Sequence, residues 1–256
     1  MVTNEEIKKW QFWLKEYVHQ HYSNDLDIDS NIDLKYQHSL KVANEAKHIA
    51  LSLNMNQADC NLAYLCGLFH DIGRFRQYKV YQTFSDSKSV YHGKLGVEVL
   101  EKLEILNQFS RKHARIINDC VYNHGLLTIS DKLKEDSIHF TKIVRDADKL
   151  DIYKIVCNYY NSNKRNVAIE LSLDTTENIS EKVLNDFKEG QIVQKSDLVY
   201  LNDFKILQLS WIFDIQFDYT RAMISESNFI NCIIKTISGE NNMLEVKTIL
   251  DKSPIK

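Results

Sequence analysis

A chain of 256 residues, 44% hydrophobic and 26% charged, is long enough to bury a sizeable core and too apolar for a disordered polymer. A net charge of -3 with no long basic tract excludes an extended nucleic-acid groove, while leaving room for a local patch that takes a small anion. Seven glycines, one proline and few stretches of alternating polarity predict an all-α fold.

In chain order, the first predicted element is a helix over 3–22, rich in aromatics (Trp10, Phe12, Trp13, Tyr17). The acidic stretch NDLDIDSNID follows; it lacks the glycine and terminal glutamate of a calcium-binding EF-hand loop and reads as a polar connection capping the next helix. In that helix, over 34–53, Leu34, His38, Val42, Ala46, Ile49 and Leu53 recur at spacings of three and four, so His38 lies on the buried stripe. Next comes GLFHDIGRF. Adjacent residues on a helix point about 100° apart, so His70 and Asp71 converge only near a helix end, which Gly73 is expected to supply.

The segment RFRQYKVYQTFSDSKSVYHG, from Arg74 to Gly93, mixes cations (Arg74, Arg76, Lys79) with aromatics (Tyr78, Tyr81, Phe84), a combination suited to phosphate and to a base or sugar. His92 opens the helical run HGKLGVEVLEKL, with Leu95, Gly96, Val99 and Leu103 on its face and Gly96 permitting close backbone approach. Over 113–124, Ile117, Cys120 and Val121 share a face with His124, and Gly125 stands where a C-cap is expected. In IVRDADKLDIYKIV the stripe is Val144, Ala147, Asp148, Asp151 and Ile155, with Asp146 turned about 200° from Asp148. Beyond it, polar runs over 161–200 hold a short helix at 180–189, and further helices are predicted over 203–222, 226–237 and 241–251. The whole chain, 1–256, reads as one domain, a core over 34–160 with a helical extension over 161–256 that packs on it, closes the site or forms a homodimer face.

Imidazole and carboxylate together suit Mn, Fe, Co, Ni or Zn, whereas Mg and Ca prefer all-oxygen shells. The candidate ligands are His38, His70, Asp71, His92, His124 and Asp148. One aspartate, Asp71, has two oxygens and can serve two ions a few Å apart. A single histidine on an apolar face is more often a core residue than a ligand, but four of them with an aspartate on an apolar stripe are not so explained, because a buried charge is normally paired or metal-bound. His19, His21, His48, His113 and His139 have no comparable placement, although His113 shares the face of His124.

The order His38, then LFHDIGR with His70 and Asp71, then DADKLD with Asp148, resembles the HD superfamily of metal-dependent phosphohydrolases over about 34–160. The resemblance implies an all-helical core whose helices converge on the metals. It implies that His38, His70, Asp71 and Asp148 hold one ion and that Asp71, His92 and His124 hold a second, giving one or two divalent transition-metal ions. His92 and His124 are similar to the ligands of the binuclear branches. Asn123-His124 stands where the cyclic-dinucleotide branch has paired histidines, and Pro254 is the only proline, so that branch's glycine-tyrosine-proline motif is missing.

The expected activity is therefore hydrolysis of a phosphate ester in a small anionic molecule, a nucleotide or related metabolite. Asp71, Arg74 and Lys149 are the candidate catalytic residues, and Arg74, Arg76, Tyr78 and Lys149 the candidate substrate contacts. Two other classes use the same scaffold: a di-iron oxygenase with the same ligand order, and a non-catalytic ligand-sensing module, against which the intact ligand set argues. No run of about twenty apolar residues and no secretory h-region is visible, which predicts a cytoplasmic protein without a membrane anchor. Five cysteines without CxxC spacing fit reduced, buried thiols.

Overall fold

The computed structural model describes residues 2–162, 170–171 and 173–252. The chain divides into two compact units, Met1–Asp151 and Ile152–Lys256. Helix α7 (Glu135–Tyr160) runs through the boundary. Among the described residues there is no strand, only an isolated parallel bridge between Asp174 and Tyr200, so the all-α expectation holds. No helix among them is long and apolar enough to cross a membrane. Residues 163–169 and 172, inside the polar stretch expected over 161–200, lie outside the described residues.

The first unit opens with α1 (Asn4–His19), started by a capping box in which Glu6 N–H donates to Thr3 Oγ1 and Thr3 N–H to Glu6 Oε2. Trp10 and Leu14, one turn apart, bury the inner face. Trp10 packs edge-on against Phe69 at 5.6 Å and stacks on Phe109 at 5.2 Å. Trp10→Ala should cost about 3–5 kcal/mol in chemical denaturation, and a near-zero loss would show that α1 is not part of this core.

Helix α2 (Leu26–Ser52) begins earlier than the hydrophobic stripe suggests. Asp25 accepts hydrogen bonds from the N–H groups of Asp27 and Ile28, and so caps a helix whose first two turns are the acidic stretch itself. The stretch read as a polar connection is therefore mostly helical, since its carboxylates suit a helix N-terminus.

Helices α3 (Gln57–Phe69) and α4 (Ile72–Tyr81) meet at the His70-Asp71 pair, where Asp71 leaves helical geometry (φ -101°, ψ 17°). The helix break thus falls on Asp71, and Gly73 does not supply it. Gly73 lies inside α4, where a Cβ would stand 2.2 Å from His92 O and 2.5 Å from Gly96 N of α5 (His92–Lys102). The glycine is there for backbone contact between the two helices. Helix α6 (Arg111–Asn123), capped by Ser110, ends at His124. Gly125 is not a left-handed cap either: its φ is not positive, and a Cβ there would lie 2.8 Å from the His92 ring.

The second unit holds α8 (Glu181–Lys188), α9 (Leu201–Ser210), α10 (Asp218–Glu226), α11 (Phe229–Ile234) and α12 (Glu240–Lys252). The helix expected over 203–222 is two helices. After Ser210 the chain makes a 3-10 turn, Trp211–Asp214, and buries Ile215 in extended geometry. Arg221 donates to the carbonyls of Ile215 and Gln216 exposed by that break. Buried Asp203 ties α8 to α9, accepting from Ser180 N and Oγ and from the N–H groups of Val199 and Tyr200.

Candidate metal centre

Four helices and one interhelical corner bring the six expected ligands together in the first unit. His38 comes from the middle of α2, His70 and Asp71 from the corner between α3 and α4, and His92 from the first residue of α5. His124 caps α6, and Asp148 lies on α7. The two oxygens of Asp71 face different pairs. Oδ2 lies 3.8 Å from His38 Nε2 and 3.6 Å from His70 Nε2. Oδ1 lies 3.5 Å from both His92 Nε2 and His124 Nε2. Asp148 Oδ1 completes the first group, 3.0 Å from His38 Nε2 and 3.8 Å from His70 Nε2.

The ring orientations are set from behind. His38 Nδ1 lies 2.8 Å from Asp151 Oδ2, His70 Nδ1 2.7 Å from Gly67 O, His92 Nδ1 2.8 Å from Asp86 Oδ2 and His124 Nδ1 3.0 Å from Val121 O. Carbonyl and carboxylate oxygens only accept, so each Nδ1 carries the proton and donates it. Every neutral ring then points an Nε2 lone pair at Asp71 or its neighbours. His38 Nε2 and His70 Nε2 are buried without a hydrogen-bond partner, and the Nε2 atoms of His92 and His124 face each other at 2.9 Å. Lone pairs and carboxylates converging in a buried site repel one another unless cations lie among them. The three overlapping groups whose atoms could hold an ion (His38, His70, Asp71; His70, His124, Asp148; Asp71, His92, His124) fit divalent metal binding.

The electrostatics favour the ligating protonation states of His70, His92, Asp71 and Asp148. Burial pushes His70 down to about 4, and burial with the charge of Arg74 pushes His92 down to about 3, so both rings are neutral. Against burial, the charges of Lys35, His70 and Arg74 hold Asp71 well below the usual carboxylate range. Asp148 is likewise held down, burial being outweighed by the neighbouring His38 and His70. For His38, burial and Lys35 act downward, but the adjacent carboxylates of Asp148 and Asp151 outweigh them and its value is raised.

These shifts fix a pH dependence for the metal-free protein. His70 and His92 titrate at 6.5 when unfolded and at about 4 and 3 when folded, so below pH 6.5 the unfolded chain binds more protons and stability falls as pH falls. His38, raised, changes stability only above 6.5 and in the opposite sense. The urea midpoint should drop steadily from pH 6.5 toward about 4, with a slope of order 1.4 kcal/mol per unit per histidine. A flat profile there would mean that the rings are not buried neutral.

The other expected residues are placed less centrally. Arg74 Nε lies 3.4 Å from Asp71 Oδ1, but its Nη1 is committed to Gln77 Oε1, Phe84 O and Asp86 Oδ1. Arg76 pairs with Glu98 at 3.3 Å on a half-exposed surface. Tyr78 is buried, stacked on Phe84, and Lys149 is also buried. Lys79 donates to Gln20 O, Tyr81 is exposed, and His113 belongs to none of the three groups. Three contributors escape sequence reasoning. Asp151, on the same stripe as Asp148, backs His38. Asp86 backs His92 from the start of a short 3-10 turn (Asp86–Lys88) held by Gln77, whose side-chain amide donates to Asp86 Oδ1, Ser89 Oγ and Val90 O. Lys35 binds Asp71 Oδ2 at 2.7 Å. Asp151 lay on the apolar stripe that could have revealed it, whereas Lys35, one turn before His38, reads as an ordinary solvated lysine.

Comparison with curated proteins and with solved structures returned no match. The family model for the HD domain matches residues 36–153, a stretch containing all six expected ligands. Residues 36–153 are therefore an HD domain, and the clustered histidines and aspartates of the centre lie within it.

Proposed function

We propose that this chain is a metal-dependent phosphohydrolase that cleaves a phosphate ester of a small anionic molecule, a nucleotide or related metabolite. The superfamily consists largely of metal-dependent hydrolases. The observation that carries the proposal is the division of Asp71, with Oδ2 toward His38 and His70 and Oδ1 toward His92 and His124. In this reading His38, His70, Asp71 and Asp148 hold one divalent ion, and Asp71, His92 and His124 hold another. When bound, such a pair supplies an acidified water and positive charge for the phosphoryl oxygens.

The protein's own groups do the rest. Asp151, Asp86 and the carbonyls of Gly67 and Val121 lock the four rings, so the ligands are arranged before any ion arrives. Arg74 braces Asp71 and Asp86 together, a positioning role in which its Nη1 is already used. Lys149, buried beside Asp148 in the chain, contributes charge toward the phosphoryl group.

The test is turnover of a panel of nucleotides and phosphate mono- and diesters with Mn, Co, Ni, Zn or Fe added singly to metal-free protein. Metal-dependent release of phosphate, or of a cleaved diester, supports the proposal. Substrate-dependent oxygen uptake that requires iron would replace it with an oxygenase. Tight ligand binding without turnover would replace it with a sensing module.

A further inference from the structure

The ligand set and the groups behind it leave one charged side chain at the centre without a role. Lys35 stands one turn before His38 on α2 and shares its face. Its ammonium lies 2.7 Å from Asp71 Oδ2 and 5.4 Å from the centre of the Phe84 ring. Exposure at the centre is uneven. The side chain of Lys35 is 18% exposed and that of Asp148 20%, whereas the four histidine side chains are at most 2% exposed. Solvent therefore reaches the centre at the Oδ2 half, and Lys35 stands in that opening.

The neighbouring cations of the loop segment face other partners. Arg74 Nη1 is used by Gln77, Phe84 O and Asp86, Arg76 faces Glu98, and Lys79 donates to Gln20 O. Lys35 differs from Arg76 and Lys79 because its partner is itself a candidate ligand, and from Arg74, whose Nε is 3.4 Å from Oδ1, because it stands closer, on the other oxygen, and has no further acceptor tying it down among the described residues. An ion held by His38 and His70 needs the same oxygen, Oδ2, and repels an ammonium 2.7 Å from that oxygen. A flexible four-carbon stem lets the ammonium turn away, and a compact charge with three donors suits a tetrahedral anion in any orientation.

We propose that Lys35 is the substrate-binding residue for the anionic phosphate group, neutralising Asp71 in the metal-free protein and turning to the phosphate when ions occupy the histidine pairs. The inference rests on Asp71 as a metal ligand, and the experiment separates the two. Metal-free wild type, Lys35→Met and Lys35→Arg are titrated with Mn²⁺ by calorimetry, and each Mn-loaded protein is then titrated with inorganic phosphate. Lys35→Met keeps an unbranched apolar stem of similar length and removes the charge.

The expected result is that Lys35→Met binds Mn²⁺ with wild-type stoichiometry and at least wild-type affinity. Its affinity for phosphate should fall by about 10-fold or more, the worth of one charge-assisted hydrogen bond, while Lys35→Arg retains phosphate binding. Unchanged phosphate affinity in Lys35→Met, or no phosphate binding by the Mn-loaded wild type, overturns the role of Lys35 and leaves the metal reading standing. Weaker Mn²⁺ binding in Lys35→Met also overturns it, since Lys35 would then be a support for Asp71. A wild type that takes up no Mn²⁺ removes the metal reading and this inference with it.

Discussion

Asp71→Ala is expected to abolish metal binding at both halves of the centre and to lower metal-dependent hydrolysis by about 10³-fold or more, beyond the loss from a single electrostatic contact. The size of the effect follows from geometry. Each oxygen of Asp71 faces its own histidine pair, so this one carboxylate is turned to both halves. Removing the carboxylate leaves the four rings and Asp148, with the Nε2 atoms of His92 and His124 at 2.9 Å and no Asp71 oxygen beside them. Asp71→Asn separates ligation from packing, because it keeps the shape and removes the charge. It should fold like the wild type and still lose metal. Elemental analysis with circular dichroism checks both, and an Asp71→Ala protein with full metal content would remove Asp71 from the ligand set.

The second large effect is structural. Gly73→Ala should destabilise the first unit by about 3 kcal/mol or more, at the upper end for overpacking, because the added Cβ meets backbone on two sides: His92 O at 2.2 Å and Gly96 N at 2.5 Å. Backbone does not yield as a side-chain tip does, so α4 and α5 must separate. His92 is the first residue of α5, and its displacement should also weaken the ion held with His124. Gly96→Ala meets a side-chain methyl, Val121 Cγ1 at 2.6 Å, and should be milder. Denaturant titration ranks the variants, and a Gly73→Ala protein as stable as Gly96→Ala would contradict the close approach.

Periodicity carried much of this architecture. His38, His124 and Asp148 lie on helical stripes, and a stripe that includes a polar residue among apolar ones can be read without a structure. Helix ends were harder, because they depend on which polar group finds a cap. Asp25 extended α2 backward through the acidic stretch, and Ser210 ended a helix whose pattern continued to 222. Gly73 and Gly125 were read as helix punctuation, yet each is small because of a tertiary neighbour, which no local pattern encodes. The same limit hid Asp86 and Lys35. Asp86 reaches His92 from a three-residue 3-10 turn that no periodic pattern marks, and Lys35 looks like one more solvated lysine until α3 and α4 place Asp71 beside it.

Counting ions per chain tests the central claim most directly. Elemental analysis of wild type and His92→Ala, each loaded with excess Mn²⁺ and freed of unbound metal, should give about two ions and about one, since His92 faces only Oδ1 of Asp71. One ion or fewer in the wild type, or an unchanged count in His92→Ala, would contradict a centre in which a single aspartate joins two metal sites.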